Sequence, residues 1–496
     1  MGTLVLALDQ GTSSSRAILF DVHGRAVASA QRELAAFYPR DGWVEQDPEA
    51  IWQTSLDVCR EALARTPHGD TVVTMGITNQ RETIVLWERA TGRPLGNAIV
   101  WQDRRTADAC VALRAAGREP WLMERTGLLA DPYFSASKLR WLLDNVPGAR
   151  RLAERGELAA GTVDSFLLWR LSDGRVHRTD ATNASRTQLL NLHSASWDVE
   201  LLQLFAIPGS VLPEVCESAG SIGTVQQRWF GTALPITGVA GDQQAALVGQ
   251  ACLTPGMTKC TYGTGCFALT NTGATVPRST NRLLGTVAYQ LQGRVTYGLE
   301  GSIFVAGAAI KWLRDRLGLI RSAGETETIA LARGGDARGV YVVPAFVGLG
   351  APHWDAEARG TISGLTLDSS WEDIVVATLQ SMAFQTQDLL SAAARDGAPV
   401  AVLRIDGGMV ANNWLCQFVA DVIDLPVERP LVQETTALGA AMLAALGAGL
   451  VPSLESLGNT WQLERRFEPG MAAAQRAGLL VGWQAAIARS RSTPLH

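Results

Sequence analysis

The chain has no Lys/Arg-rich block: over 496 residues, 43 basic residues stand against 48 acidic ones, a formal charge of −5. Nucleic acid is therefore excluded as a main partner, because binding a phosphate backbone requires a concentrated basic footprint. No apolar run is long enough to span a bilayer. The longest, "ALGAAMLAALGAGLV" from Ala437 to Val451, is rich in Gly and Ala and reads as a closely packed buried helix. The opening "MGTLVLALDQG" lacks a basic region ahead of its apolar run, and an acid interrupts that run early, so no signal peptide is expected. The Met-Gly start leads straight into a strand, which argues against myristoylation and stable membrane association.

Chemistry-bearing clusters are missing too. Seven cysteines include no C-x-x-C pair, and six histidines form no H-E-x-x-H motif. The pattern fits reduced thiols in a cytoplasmic protein and excludes an obvious zinc site. Neither G-x-x-x-x-G-K-[ST] nor G-x-G-x-x-G occurs, so the protein is neither a P-loop enzyme nor a carrier of the dinucleotide fingerprint.

What the chain does have is core material, at 47% apolar and 18% charged residues. Its length exceeds the size at which one core stops growing, so two domains or three are expected. Short apolar strands such as "TIVLWE" alternate with helical stretches such as "SASKLRWLLDNV", which indicates α/β layering. Asp131-Pro132 suits the N-cap and first position of that helix, whose Leu139, Leu142 and Leu143 share a side.

"VLALDQGTSSSRAILFD", residues 5–21, reads as strand, tight turn, strand. "PITGVAGDQQAALVGQ" gives a strand at Ile236 to Ala240, a turn at Gly241, then a helix over 243–250. "MTKCTYGTGCFALT" repeats the opening strand–turn–strand pattern. The repetition predicts a duplicated α/β domain divided near residue 248, as 1–248 and 249–496, with a shared cleft.

The first turn offers backbone N–H groups, the hydroxyls of Thr12, Ser13 and Ser14, and the Arg16 guanidinium, all of which suit phosphate oxygens. Asp9 at the strand end suits Mg²⁺, usually through water. An ordinary Ser-rich hairpin with a solvated acid is the alternative. "TYGTGCF" offers Thr264 between two glycines, and "RIDGGMVANN" offers Gly408 and Asn412 after a third strand. Gly-rich turns are common singly, but three of them in both halves favour a nucleotide in the cleft. In "GITNQRETIVLW", Arg81 and Glu82 suit vicinal hydroxyls or form a structural salt bridge. Trp101 and Tyr133 suit either a ligand platform or the core.

Eleven ordered segments carry a resemblance: "ALDQGTSSSR", "GITNQRET", "AIVWQDRRT", "GLLADPYFSASKLRWLL", "GTVDSFLLW", "TDATNASRT", "GVAGDQQAALVGQ", "TYGTGCF", "YVVPAFVGLGAPHWD", "DGGMVANN" and "TALGAA". The chain resembles the FGGY family of carbohydrate kinases along its length, and "NQRET" and "AGDQQ" favour the branch that acts on glycerol. The resemblance implies two RNase H-like domains of the actin/hexokinase/Hsp70-like ATPase fold. It implies ATP-dependent phosphorylation of glycerol to sn-glycerol 3-phosphate, with Mg²⁺, by a homodimer or homotetramer. Arg81, Glu82, Trp101, Tyr133, Asp242, Gln243 and Phe267 would then line the glycerol pocket. Thr12, Ser13, Ser14 and Arg16 would face the phosphates, and Thr264, Gly307, Gly408 and Asn412 would surround the nucleotide. Asp9 and Asp242 would flank the Mg²⁺, with Asp242 also the base.

Two features depart from the family. Lys311 stands where many bacterial relatives have Gln near the purine. "SIGTVQQRWFGTALPI" lacks the Gly-rich, Arg-containing loop of the bisphosphate site and contains no His, so neither bisphosphate nor loop-His control is expected.

Overall fold

The computed structural model describes residues 2–492. Two large mixed sheets dominate it. The first runs Ala219–Val225, Leu234–Gly241, Thr71–Asn79, Thr3–Gln10, Ser14–Asp21, Ala26–Glu33. The second runs Leu284–Leu291, Arg294–Ile303, Cys266–Gly273, Met257–Tyr262, Val402–Asp406, Val427–Pro430, Leu463–Phe467. Reading outward from the first strand of each hairpin, the first sheet places two antiparallel strands on one side and the second sheet places three. On the other side lie two parallel strands and an antiparallel edge. This is the repetition expected from the sequence, and it continues a strand further than the hairpins alone suggested.

In the first sheet, Thr3–Gln10, Thr71–Asn79 and Leu234–Gly241 run parallel, with Gln10 beside Asn79 and Asn79 beside Gly241. Their carboxyl ends therefore deliver Asp9, Arg81 and Asp242 to one edge. In an open α/β sheet that edge is where ligands bind. Thr261 beside Asp406 marks the matching edge of the second sheet.

Two helices, Asp242–Gly249 and Thr435–Gly447, pack against each other between the sheets. The later one lies on the first sheet although it comes from the end of the chain: Ala440, Ala441 and Ala444 share a core with Val5, Ala7 and Ala245. Asp406 ties their ends, accepting from Thr435 Oγ1 at 2.6 Å and Gln250 Nε2 at 2.7 Å. The Gly/Ala-rich run is thus a buried, closely packed helix, as its composition implied.

Two local expectations are corrected. The helix near Tyr133 spans Ser135–Asn145 with Phe134 at its N-cap, not Asp131. Asp131 instead accepts from Tyr133 N at 2.9 Å, closing a turn ahead of the helix. Gly241 is no turn residue, because its strand passes directly into the helix at Asp242. No helix among the described residues is long and apolar enough to cross a membrane.

The contact between the two helices sets a strict size limit. A Cβ on Gly439 would sit 1.8 Å from the carbonyl oxygen of Ala245, backbone against backbone. Overpacking a core ordinarily costs about 1–3 kcal/mol, and neither backbone here can yield, so Gly439→Ala should cost about 3 kcal/mol or more. Urea unfolding measures this, and a loss below about 1 kcal/mol would mean that the helices slide apart freely.

Candidate functional site

The turn after the first strand is closed by Gly11 N donating to Ser14 O at 2.9 Å. At its floor, the Asp9 carboxyl is pushed up to about 7, chiefly by burial, then by the charge of Asp242, with Arg16 opposing. Thr12 Oγ1 accepts from Trp101 Nε1 at 2.9 Å, so its own hydroxyl proton remains available. Ser14 Oγ accepts from Gln31 Nε2 at 3.0 Å. Arg16 donates to Gln31 Oε1 at 2.8 Å and pairs with Glu434, at the head of the helix from the second half. Ser13 is exposed at the tip.

Arg81 and Glu82 follow the second parallel strand in a strained turn. Glu82 has φ 62°, a left-handed conformation that costs an L-residue roughly 1–2 kcal/mol. Packing and charge hold it there. Ser135 Oγ donates to Glu82 O at 2.9 Å, and Arg186 Nε donates to Glu82 Oε1 at 2.7 Å. Arg81 in turn donates to both carboxylate oxygens of Glu300, at 2.5 and 3.2 Å, and Arg186 Nη2 donates to Glu300 at 3.0 Å. The four side chains are at most 2% exposed. Two positive and two negative charges are thereby balanced out of water. Burial alone would raise the Glu300 carboxyl, but Arg186 and Arg81 outweigh it and hold the group at about 2.

Asp242 begins its helix at the third strand end and is the half-open member, its side chain 30% exposed. Its Oδ1 lies 3.1 Å from Arg81 Nε, an ion pair without hydrogen-bond alignment, so that buried N–H has no acceptor of its own. The next residue, Gln243, is gripped by the buried Lys259 Nζ, which also donates to Phe267 O at 3.2 Å. Burial pushes the Lys259 amine down.

Three aromatic rings complete this corner. Trp101 meets Tyr133 edge-on at 5.6 Å and Phe267 edge-on at 6.2 Å, the last from the second sheet. Lys138, fully buried, donates to the carbonyls of Trp101 at 3.2 Å and Tyr133 at 3.1 Å. Burial lowers its amine to about 8 against the pull of Asp103 and Glu82.

The second lobe brings its loops together. Gly307 N donates to Gly263 O at 3.0 Å, and Thr264 O accepts from Ala306 N at 2.9 Å. Gly407, at φ 92°, lets the Gly408–Ala411 turn lie against the backbone of Tyr262, where a Cβ would meet atoms 2.5 Å away. Asn412 caps the following helix through Leu415 N at 2.8 Å and donates to Thr326 Oγ1 at 3.2 Å. Lys311 is exposed on the helix Gly307–Asp315.

Residues 4–249 match the N-terminal domain, and residues 258–448 the C-terminal domain, of the FGGY family of carbohydrate kinases. The chain belongs to the FGGY family. Among FGGY relatives, glycerol kinase 1 of Pseudomonas aeruginosa is 58% identical over 99% of this chain and 100% of its own length. A glycerol kinase of Rhodospirillum centenum is 58% identical over 98% of each chain. The crystal structure of Plasmodium falciparum glycerol kinase with ADP superposes with a TM-score of 0.93 at 35% identity, covering 100% of this chain and 99% of that one. The two-lobed architecture is the actin/hexokinase-like ATPase fold of the FGGY kinases.

In this FGGY chain, sequence reasoning passed over four buried residues: Arg186, Glu300, Lys138 and Lys259. Arg186 stands among small polar residues in "TDATNASRT", and Glu300 is the lone charge in "TYGLEGSIFV". A single charge in the otherwise uncharged stretch 295–305 was the available signal, and its partner lies 219 positions away.

Removing Arg81 leaves Arg186 as the one guanidinium balancing two buried carboxylates, Glu82 and Glu300. Arg81→Met should therefore cost about 3–5 kcal/mol at pH 7. Glu300 is depressed in the folded state, so it stabilises fully above the ordinary carboxyl value near 4.5 and loses that contribution as pH falls toward about 2. The deficit of the variant, measured by denaturant unfolding at several pH values, should shrink over that window. A constant deficit would remove Glu300 from the account.

Proposed function

We propose that the protein transfers the γ-phosphoryl group of ATP to a terminal hydroxyl of glycerol, giving sn-glycerol 3-phosphate. The observation that carries this reading is the sealed Arg81–Glu82 pair beside Asp242, with Asp242 Oδ1 3.1 Å from Arg81 Nε and open to the cleft. The relatives named glycerol kinase, 58% identical over nearly all of the chain, support it.

Residues 1–248 would supply the glycerol pocket and 249–496 most of the nucleotide site. Arg81, Glu82 and Asp242 hold the hydroxyls of the alcohol, with Gln243 beside them, while Trp101, Tyr133 and Phe267 cover its carbon backbone. A pocket that hydrogen-bonds every hydroxyl rejects analogues lacking one by up to about 10⁴-fold. Thr12, Ser13 and Ser14 receive phosphate oxygens at the first turn. Arg16 joins them by exchanging Glu434 for a phosphate. Thr264, Gly307, Gly408 and Asn412 border the nucleoside, with Lys311 at its edge.

The residues present fit Mg²⁺. Asp9 and Asp242 are hard oxygen donors, with Asp242 close enough for its charge to help raise the Asp9 carboxyl, and Mg²⁺ takes one or two carboxylates alongside phosphates and water. When bound, the ion offsets phosphate charge. Phosphoryl transfer passes through a loose transition state, so positioning and charge stabilisation dominate. Asp242 accepts the proton of the attacking hydroxyl. Even a weak base suffices there, because in a loose transition state that proton can leave late. Closure of the lobes excludes water and suppresses idle ATP hydrolysis. The setting is the cytoplasm and the assembly a homodimer or homotetramer, both inferred from the family.

Asp242→Asn should fold normally and lower kcat by at least about 10²-fold in a coupled ADP-release assay, the low end for loss of a general base. Near-normal turnover would take Asp242 out of the catalytic role. A polyol panel in the same assay tests the substrate, and erythritol or a pentulose outrunning glycerol would overturn the glycerol reading.

A further inference from the structure

We infer that Glu300 is a positioning residue for the glycerol pocket, delivered across the cleft by the second lobe so that pocket geometry depends on the lobes being seated together. The inference rests on the glycerol reading of the Arg81–Glu82 pair. Three observations carry it. Glu300 lies on strand Arg294–Ile303 of the second sheet, yet its carboxylate is bound by Arg81 and Arg186, both from the first half. It occupies both terminal nitrogens of Arg81, at 2.5 and 3.2 Å, which turns the remaining Nε edge toward Asp242. It also fixes Arg186, whose Nε holds Glu82 in its left-handed conformation.

One side chain therefore sets the direction of both members of the hydroxyl-binding pair without facing the cleft itself. A guanidinium freed of Glu300 would swing toward the nearest carboxylate, Asp242, and the pair would lose the spacing that matches neighbouring hydroxyls. The cost falls on recognition of the alcohol. Among the described residues, no hydrogen bond joins the loops of Gly263, Gly307 and Gly408 to this cluster.

The test uses the full-length chain with glycerol, 1,2-propanediol and ATP. Glu300→Gln keeps the shape and removes the charge. A misplacement of about 1 Å costs on the order of 10²-fold, so the KM for glycerol should rise by about that factor while the KM for ATP stays within twofold. Preference for glycerol over 1,2-propanediol, which lacks one hydroxyl, should fall at least about tenfold. Titration calorimetry with glycerol alone should show the same weakening without turnover. Glu300→Asp, which restores the charge on a shorter stem, should recover part of the loss.

A folded Glu300→Gln protein with unchanged glycerol KM and preference overturns the inference. So does a loss shared equally by glycerol and ATP, which is the mark of a purely structural role. Should Glu300→Gln not fold, Arg186→Lys keeps the charge but can no longer bridge Glu82 and Glu300. It should raise glycerol KM about tenfold, and an unmoved KM there overturns the inference equally. Wild-type protein that neither binds nor phosphorylates glycerol overturns the underlying reading. Active wild type with unmoved variants overturns only the role of Glu300.

Discussion

Two arginines and two glutamates locked together away from water form the constraint around which the molecule is arranged. Each of those charges would cost several kcal/mol to bury alone, and even paired they repay that cost only when the geometry is close to ideal. Directed bonds join Arg81, Glu82, Arg186 and Glu300, down to the 2.5 Å contact of Arg81 with Glu300, while Arg81 Nε and Arg186 Nη1 have no hydrogen-bond acceptor. Because Glu300 belongs to the second sheet, the balance exists only when both halves of the chain are in place. The same arrangement leaves one edge of Arg81 toward the half-open Asp242. Charge pairing, fold assembly and the setting of Asp242 are therefore a single problem with a single solution.

Around that cluster the backbone is brought unusually close. The helices Asp242–Gly249 and Thr435–Gly447 touch through glycine, and the later helix lies flat on the first sheet through alanines. Small side chains add little apolar area, but they let two helices and a sheet share one layer, which shortens the path between strand ends and loops. Asp406 binds both helix ends and sits at the edge from which the Gly407–Gly408 turn departs.

Much of this was readable before any coordinates. The strands Thr3–Gln10 and Ser14–Asp21 are announced by the apolar runs Val5 to Leu8 and Ala17 to Phe20, and Met257–Tyr262 by the glycine-flanked turn that separates it from the next strand. Local chemistry misled only where two local solutions compete. Asp131-Pro132 has the composition of a helix start, yet the carboxylate satisfies Tyr133 N in a turn, and the helix waits until Ser135. The candidate site could be proposed from its turn residues, whereas the buried charges beneath it could not. Arg186 finds Glu82 104 positions away and Glu300 114 away, and no period or spacing in a sequence encodes such a meeting. Burial of charge becomes visible only once topology decides which strand ends are neighbours.

Of the 43 basic residues only three, Lys138, Lys259 and Lys311, are lysines, and the first two are wholly enclosed beneath the pocket. Everywhere else the chain meets its need for positive charge with guanidinium groups. A guanidinium is broad, flat and permanently protonated, whereas an ammonium gathers its donors on one nitrogen and can surrender a proton when desolvated. Lys138 uses that compactness to gather two carbonyls under the aromatic rings, and Lys259 to grip a glutamine and a strand. In this chain a broad guanidinium would not fit either enclosure without moving the carbonyls, glutamine or strand that the ammonium gathers.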